Sequence, residues 1–211
     1  VDSILQQSFT DFEFFIIDDA SKDSTALIIQ SYKDPRIQFI RKPVNTGYTD
    51  SLNMGLKLAT GAYIARMDGD DISAHNRFEL QVAALKADPR IVVCGTGIEI
   101  IGTGEKVLMP VENKEIKVRL LTLSCLAHPT VMFKRSFVLD NGLSYNKSRE
   151  PAEDYDLWVR ILKRGGMLTN IAQPLLQYRV HVNQTSHQRQ VIAQESALIT
   201  KAELLSSIVS L

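Results

Sequence analysis

"FEFFIIDDASKDSTALIIQSYKDPRIQFIR", residues 12–41, holds the pattern that decides the fold. "FEFFIID" (12–18) is a nearly unbroken apolar and aromatic run, the reading expected of a strand covered on both faces. "STALIIQSYK" (24–33) follows with its apolar residues at helical spacing, and it stops at Asp34-Pro35 because proline disfavours helical backbone in the residue before it. "IQFIR" (37–41) is short and apolar again and reads as a second strand. A helix between two strands this close in sequence implies parallel neighbours, since a parallel partner is reached only by a crossover.

The rhythm continues outward from this stretch. "NTGYTDSLNMGLKLAT" (45–60) predicts a turn and a helix ended by Gly61. "AYIARM" (62–67) predicts a third strand, "AHNRFELQVAALKAD" (74–88) a helix stopped by Pro89, and "IVVCGTGIEII" (91–101) a fourth strand. Alternation of this kind specifies an α/β fold with a mostly parallel central sheet flanked by helices. Ligands of such sheets bind at the carboxyl ends of the strands. The second half is less regular: a helix over 115–124, a strand over 130–134, a helix over 152–166 closed by Gly165-Gly166, a strand over 175–180 and a helix over 190–211. No repeat, low-complexity tract or linker divides the chain, so one domain over 1–211 is expected.

Composition narrows the function. Of 211 residues, 45% are hydrophobic and 23% charged, ordinary for a globular domain with one core. Lys and Arg number 24 and Asp and Glu 24, which removes the electrostatic case for a nucleic-acid partner. Cys94 and Cys125 have neither metal-ligand spacing nor a disulfide framework around them, so a reducing, cytoplasmic setting is the default. No apolar stretch reaches the roughly 20 residues that span a bilayer, and no signal peptide is visible. The terminal helix sets Val191, Leu198, Leu205 and Val209 on one stripe that must be covered, by its own domain in the usual case or by a homodimer partner or a membrane surface. Lys201 is the one cation there, which weakens the membrane option.

Two acidic clusters fall at predicted strand ends. "IIDDAS" (16–21) places Asp18 and Asp19 after the first strand, and "RMDGDDIS" (66–73) places Asp68, Asp70 and Asp71 after the third. Adjacent carboxylates repel unless a cation or donors compensate them. A calcium loop of the EF-hand type is matched by counting at Asp68, Asp70 and Glu79, but Ile72 stands where an oxygen ligand belongs, Ser73 where the turn needs glycine, and a strand where a helix should precede. A solvated turn is the plain alternative. A divalent cation shared with a phosphorylated ligand fits better, since Mg²⁺ or Mn²⁺ takes one or two protein carboxylates and leaves positions for phosphate oxygens. Near Asp18 and Asp19, Ser21 or Asp23 could cap the following helix, or an Asp carboxylate could accept from a base imide N–H. "EDYD" (153–156) is at least a dipole-favoured helix start and can also present a carboxylate to a cleft.

"VDSILQQSFTDFEFFIIDDASKDST", "NTGYTDSLNMGLKLATGAYIARMDGDD", "HPTVMF" and "EDYDLWVRI", in this order, resemble family 2 glycosyltransferases of the GT-A fold. The likeness implies an inverting, metal-dependent transfer of a sugar from a nucleotide-diphospho-sugar, a UDP-sugar above all, to an acceptor hydroxyl. It implies a nucleotide-sugar half over 1–101, an acceptor half over 102–185 and a C-terminal helix over 186–211. It assigns the uracil to Asp19 beside Asp18, the ribose to Asp68, the donor pocket to Asn45 and Arg66, and Mn²⁺ or Mg²⁺ to Asp70 and His181. Asp154 becomes the base, with Glu153 positioning the acceptor or the loop before it. His128 could touch acceptor or phosphate, and Trp158 could stack on a sugar, although core packing is the simpler role. The acceptor expected is a saccharide or lipid-linked saccharide of the cell envelope, with the enzyme at the inner face of the membrane. The family opens with a strand and a turn that contact the nucleotide, and this sequence starts beyond both. The expectation is that it is an N-terminally shortened version of a longer protein, since a chain truly without that strand would leave a position of the central sheet empty. A sugar nucleotidyltransferase, which would need a glycine- and lysine-rich phosphate loop, and a non-catalytic sugar-nucleotide-binding domain are the alternatives.

Overall fold

The computed structural model describes residues 1–181 and 190–209. The quoted stretch folds as read: β1 (Phe14–Asp18), α2 (Thr25–Ser31) and β2 (Ile37–Arg41), with β1 and β2 parallel and Phe14 opposite Ile37. A four-residue helix, α1 (Asp2–Leu5), precedes them. These two strands form a sheet of their own. For that reason Phe14 to Ile17 are half-buried, not covered on both faces as the apolar run suggests.

A second sheet of six strands carries most of the core. Its path is β3 (Tyr63–Ala65), β7 (Met132–Lys134), β5 (Ile91–Ile100), β8 (Met167–Tyr178) and β4 (Ile72–Ser73), with β6 (Lys106–Val107) on β5. The sheet is mixed. β5 and β8 are parallel, whereas β7 is antiparallel to both β3 and β5, and β4 to β8. β3 and β5 still run in the same direction, as strand–helix alternation requires; β7 is inserted between them the other way round. β8 begins at Met167, eight residues before the predicted 175, because "MLTNIAQ" mixes polar and apolar residues too freely to show a period.

Helices cover both faces of the second sheet: α3 (Tyr48–Leu58), α4 (Arg77–Ala87), α5 (Asn113–Arg119), α6 (Arg135–Asp140), α7 (Glu153–Lys163) and α8 (Gln190–Val209) complete the chain. Successive strand residues divide between the faces, as the pleat dictates. Val93 and Phe133 join Trp158, Leu157, Ile161, Ile116 and Leu120 under α5 and α7. Cys94 and Met132 join Phe78, Val82 and Leu85 under α4. Gln81 of α4 is fully buried and donates to the carbonyls of Cys94 and Thr130, at 2.6 and 2.8 Å. Trp158 has no exposed surface, so its role is packing.

The terminal helix reverses one expectation. Among its described side chains Ser196 and Thr200 are the buried ones, while Val191, Leu198 and Leu205 are 69%, 61% and 49% exposed; the Val209 side chain lies outside those described. Its own domain therefore leaves these three apolar residues uncovered. Among the described residues no helix is long and apolar enough to cross a membrane.

Candidate active site

The acidic clusters lie after β1, after β3 and at the start of α7; α3 links the first to the third through Tyr48 and Glu153, and Arg66 and Asp68 of the second act on Asp154. At the first, Asp18 is buried; its Oδ1 accepts from the Ser21 N–H at 2.8 Å, and Arg41 Nε lies 3.4 Å from Oδ2. Asp18 thus shapes the turn. Ala20 within that turn has φ 63, a left-handed backbone that costs a non-glycine residue roughly 1–2 kcal/mol. Such strain collects at ligand-binding turns. A cleft of about 830 Å³ opens beside it, lined by Ala20, Ser21, Lys22, Arg41, Lys42, Pro43, Val44 and Asn45.

Asp19 turns toward the neighbouring helix. Its carboxylate lies 2.5 Å from Lys42 Nζ and accepts from the N–H groups of Thr46 at 3.0 Å and Gly47 at 2.8 Å. Partial burial raises its pKa; the hydrogen bond from Lys42 and the two backbone donors outweigh this and leave it below the ordinary value. Gly47 has φ 98, a conformation that a side chain would strain, and Asn45 Oδ1 also accepts from its N–H at 3.2 Å. Asp19 therefore satisfies the amides ahead of α3, where helix donors are otherwise orphaned.

The second cluster follows β3. Arg66 binds Asp68 with both terminal nitrogens, at 2.9 and 2.5 Å, the forked geometry favoured between guanidinium and carboxylate. Asp71 is buried and accepts from the Arg179 N–H at 2.9 Å; burial first, then the charges of Asp68 and Asp70, push its pKa up to about 6. Arg179 Nε also donates to the Asp70 carbonyl at 2.9 Å. These bonds dock the end of β8 on the turn. They bring His181 Nε2 to 3.3 Å from Asp70 Oδ2, with both side chains partly exposed. Among the described residues no three His, Cys, Asp or Glu side chains converge on one metal position. One carboxylate and one imidazole still fit Mn²⁺ or Mg²⁺ when phosphate oxygens and water fill the other positions.

The third cluster begins α7. Glu153 is buried and its Oε2 accepts from Tyr48 Oη at 2.8 Å; burial, then the charge of Asp154, raise it from 4.5 to about 7. Asp154 is half-buried. Burial raises its pKa and so does Asp68, while the Tyr155 N–H and Arg66 oppose them. It therefore feels the second cluster directly. It also lines a cleft of about 440 Å³ with Ser124, Pro151, Tyr155, Ala197, Leu198 and Lys201. Asp156 is buried against Arg160, 2.7 Å away, and serves the helix. His128 Nε2 is 2.9 Å from Tyr145 Oη, with its ring 6.1 Å from that of Trp158. Burial drives its pKa well down, so it is a neutral imidazole at pH 7.

Three contributors escaped the sequence reading: Tyr48, Arg77 and Arg179. Arg77 has no exposed surface and donates to the Pro129 carbonyl at 3.0 Å; burial, then Arg66, lower its pKa to about 9. Nothing local in the sequence marks these residues, since each is defined by a partner far along the chain.

Comparison with known proteins supplies what the geometry does not. The profile of Glycosyl transferase family 2 matches residues 1–138, which include Asp19 and Asp70 but not Glu153, Asp154 or His181. An uncharacterized glycosyltransferase of Haemophilus influenzae is 32% identical over 200 residues, covering 88% of this chain and 62% of its own. The O-antigen biosynthesis glycosyltransferase WbnJ of Escherichia coli is 35% identical over 196 residues, covering 88% and 74%. The chain thus spans about three fifths to three quarters of the length of these relatives. Solved structures share the fold at lower identity. S. aureus TarS 1–349 in complex with UDP has a TM-score of 0.69 at 18% identity, covering 99% of this chain and 65% of that one. The mannosyltransferase PcManGT from Pyrobaculum calidifontis, in complex with GDP-Man and Mn²⁺, has a TM-score of 0.67 at 17% identity, covering 99% and 70%.

Proposed function

Because the chain belongs to glycosyl transferase family 2, we propose that it moves a sugar, with inversion, from a UDP-sugar to a hydroxyl of a saccharide or lipid-linked saccharide. The observation that carries this reading is the approach of His181 to Asp70 at 3.3 Å, two donors far apart in sequence and brought to one strand end. A divalent cation held by that pair would stabilise the charge growing on the leaving diphosphate as a Lewis acid. Around it, Arg66 keeps Asp68 aimed at the donor's ribose, and the cleft at Ala20, Arg41 and Asn45 takes the base beside Asp18 and Asp19.

Transfer then needs a proton acceptor on the far side of the sugar. Asp154 fits that role: it opens to a cleft, stands at a helix N-terminus and has a pKa raised by burial, which makes it a stronger base than a free carboxylate. Its carboxylate takes the hydroxyl proton as the acceptor oxygen bonds to the anomeric carbon and the nucleoside diphosphate departs. General bases of this kind contribute about 10²–10⁴-fold. Glu153, being buried and bonded to Tyr48, orients that turn from behind. The O-antigen relative favours an envelope saccharide as acceptor, and the uncovered apolar residues of α8 leave a homodimer open.

The test is calorimetric titration of UDP into the full-length protein with and without Mn²⁺. Binding is expected to depend on the metal, and Asp70→Asn with His181→Ala to weaken it at least tenfold. Binding of UDP at equal strength with and without Mn²⁺, or unchanged in the double variant, would sink the metal assignment. Release of pyrophosphate instead of UDP during turnover would sink the transfer itself.

A further inference from the structure

The proposed nucleotide pocket and the proposed base belong to different halves of the chain, and α3 stands between them. Its leading amides, at Thr46 and Gly47, are held by Asp19. The next residues reach the other way. Tyr48 Oη donates to Glu153 Oε2 and Thr49 Oγ1 to Glu150 Oε2, each at 2.8 Å. Lys147 Nζ returns to the Thr46 carbonyl at 2.9 Å and to Asp50 at 2.5 Å. Asn53 exchanges hydrogen bonds with the backbone of Tyr145, at 2.9 and 2.8 Å. One helix end therefore carries the donor-side carboxylate on one flank and the run from Tyr145 to Glu153 on the other.

Most of these bonds end on exposed groups or on backbone. Tyr48 differs, because its partner is a carboxylate only 3% exposed that adjoins Asp154 in sequence. A buried carboxylate without a donor is costly, and removing one partner of such a bond costs more than the bond's net worth. We propose that Tyr48 is a positioning residue: through Glu153 it fixes the first turn of α7, and so the direction of the Asp154 carboxylate, relative to the helix end that Asp19 holds. This rests on Asp154 serving as the base, as read above.

A packing role and a positioning role separate in the kinetics. Tyr48→Phe keeps the ring and deletes the hydroxyl. In the full-length protein, UDP release from UDP-GlcNAc with Mn²⁺ is expected to lose about 10- to 100-fold in kcat, the loss of one hydrogen bond to a charged group, with the donor KM unchanged. Losing this donor also pushes the Glu153 carboxyl further up, since Tyr48 favoured its ionised form. The groups facing Glu153 are Tyr48 from α3, Glu150 from the preceding turn and Asp154 beside it, and Arg66 and Asp68 face Asp154. Adding Glu153→Gln to Tyr48→Phe should cost no further rate, whereas independent residues would add.

An active wild type whose Tyr48→Phe variant keeps its kcat, or loses kcat only together with a raised donor KM, overturns the proposal and leaves the sugar-transfer reading standing. Additive losses in the double variant overturn it too. A wild type that releases no UDP from any UDP-sugar tested overturns the sugar-transfer reading and this proposal with it.

Discussion

Glu153→Gln should make the protein more stable at alkaline pH. Glu153 is buried, and its carboxyl is raised from 4.5 to about 7, by burial first and by Asp154 second. The raised value fixes the sign. Below pH 4.5 both native and unfolded chains hold the proton, and native stability is complete. Between 4.5 and about 7 the unfolded chain releases it and the native chain does not, so stability falls as pH rises; above 7 the loss is complete. Each pH unit in that window is worth about 1.4 kcal/mol, so the loss reaches at most about 3 kcal/mol. Glutamine mimics the protonated form and can still accept from Tyr48, so it removes this slope. Urea unfolding of wild type and variant from pH 5 to 8 should show curves that nearly coincide at pH 5 and separate by up to about 3 kcal/mol at pH 8, the variant on top. Asp71, raised to about 6 by burial and its acidic neighbours, adds a slope of the same sign that both proteins share. A separation that is constant with pH, or a variant weaker at pH 8, would refute the account of Glu153 as a carboxyl kept in an unfavourable place for function.

Asp154→Asn should bind UDP as wild type does and lose about 10²–10⁴-fold in turnover, measured as UDP release at saturating donor. Gly166→Ala should cost about 1–3 kcal/mol in urea unfolding, because its Cβ would meet Val92 at 2.6 Å, Ile161 at 2.8 Å and Phe137 at 2.9 Å in a packed site. Cys94, buried with its thiol pushed up to about 12 chiefly by burial, should resist alkylation at pH 8 in the native protein and react only on unfolding.

The fold was most legible where its signals are local. β1, α2 and β2 follow from apolar runs broken by Asp and Pro, and the helices at Tyr48, Arg77 and Glu153 follow from spacing. β4 and β6, two residues each, have no room for a period, and six-residue α6 has hardly more. The reversed direction of β7 depends on the irregular run before it, whose course no periodicity records. Carboxylates of the site announced themselves because like charges are rarely clustered at strand ends without a compensating partner. What fixes them did not. Arg179 reads as a solvated side chain until β8 docks on the turn at Asp70, and Tyr48 as a helix-start residue until Glu153 closes on it. Arg77 reads as a surface charge on a helix, yet tertiary closure buries it completely.

The partition of strands into two separate sheets has a consequence for how the molecule comes apart. Two strands with half-buried side chains hold far less cooperative free energy than the interior around Trp158, so amide protons of β1 and β2 should exchange through partial openings that spare β5 and β8. Ala20, Ser21 and Arg41 would leave with that smaller unit. A nucleotide seated there would slow exchange in the weaker unit while barely touching the stronger one.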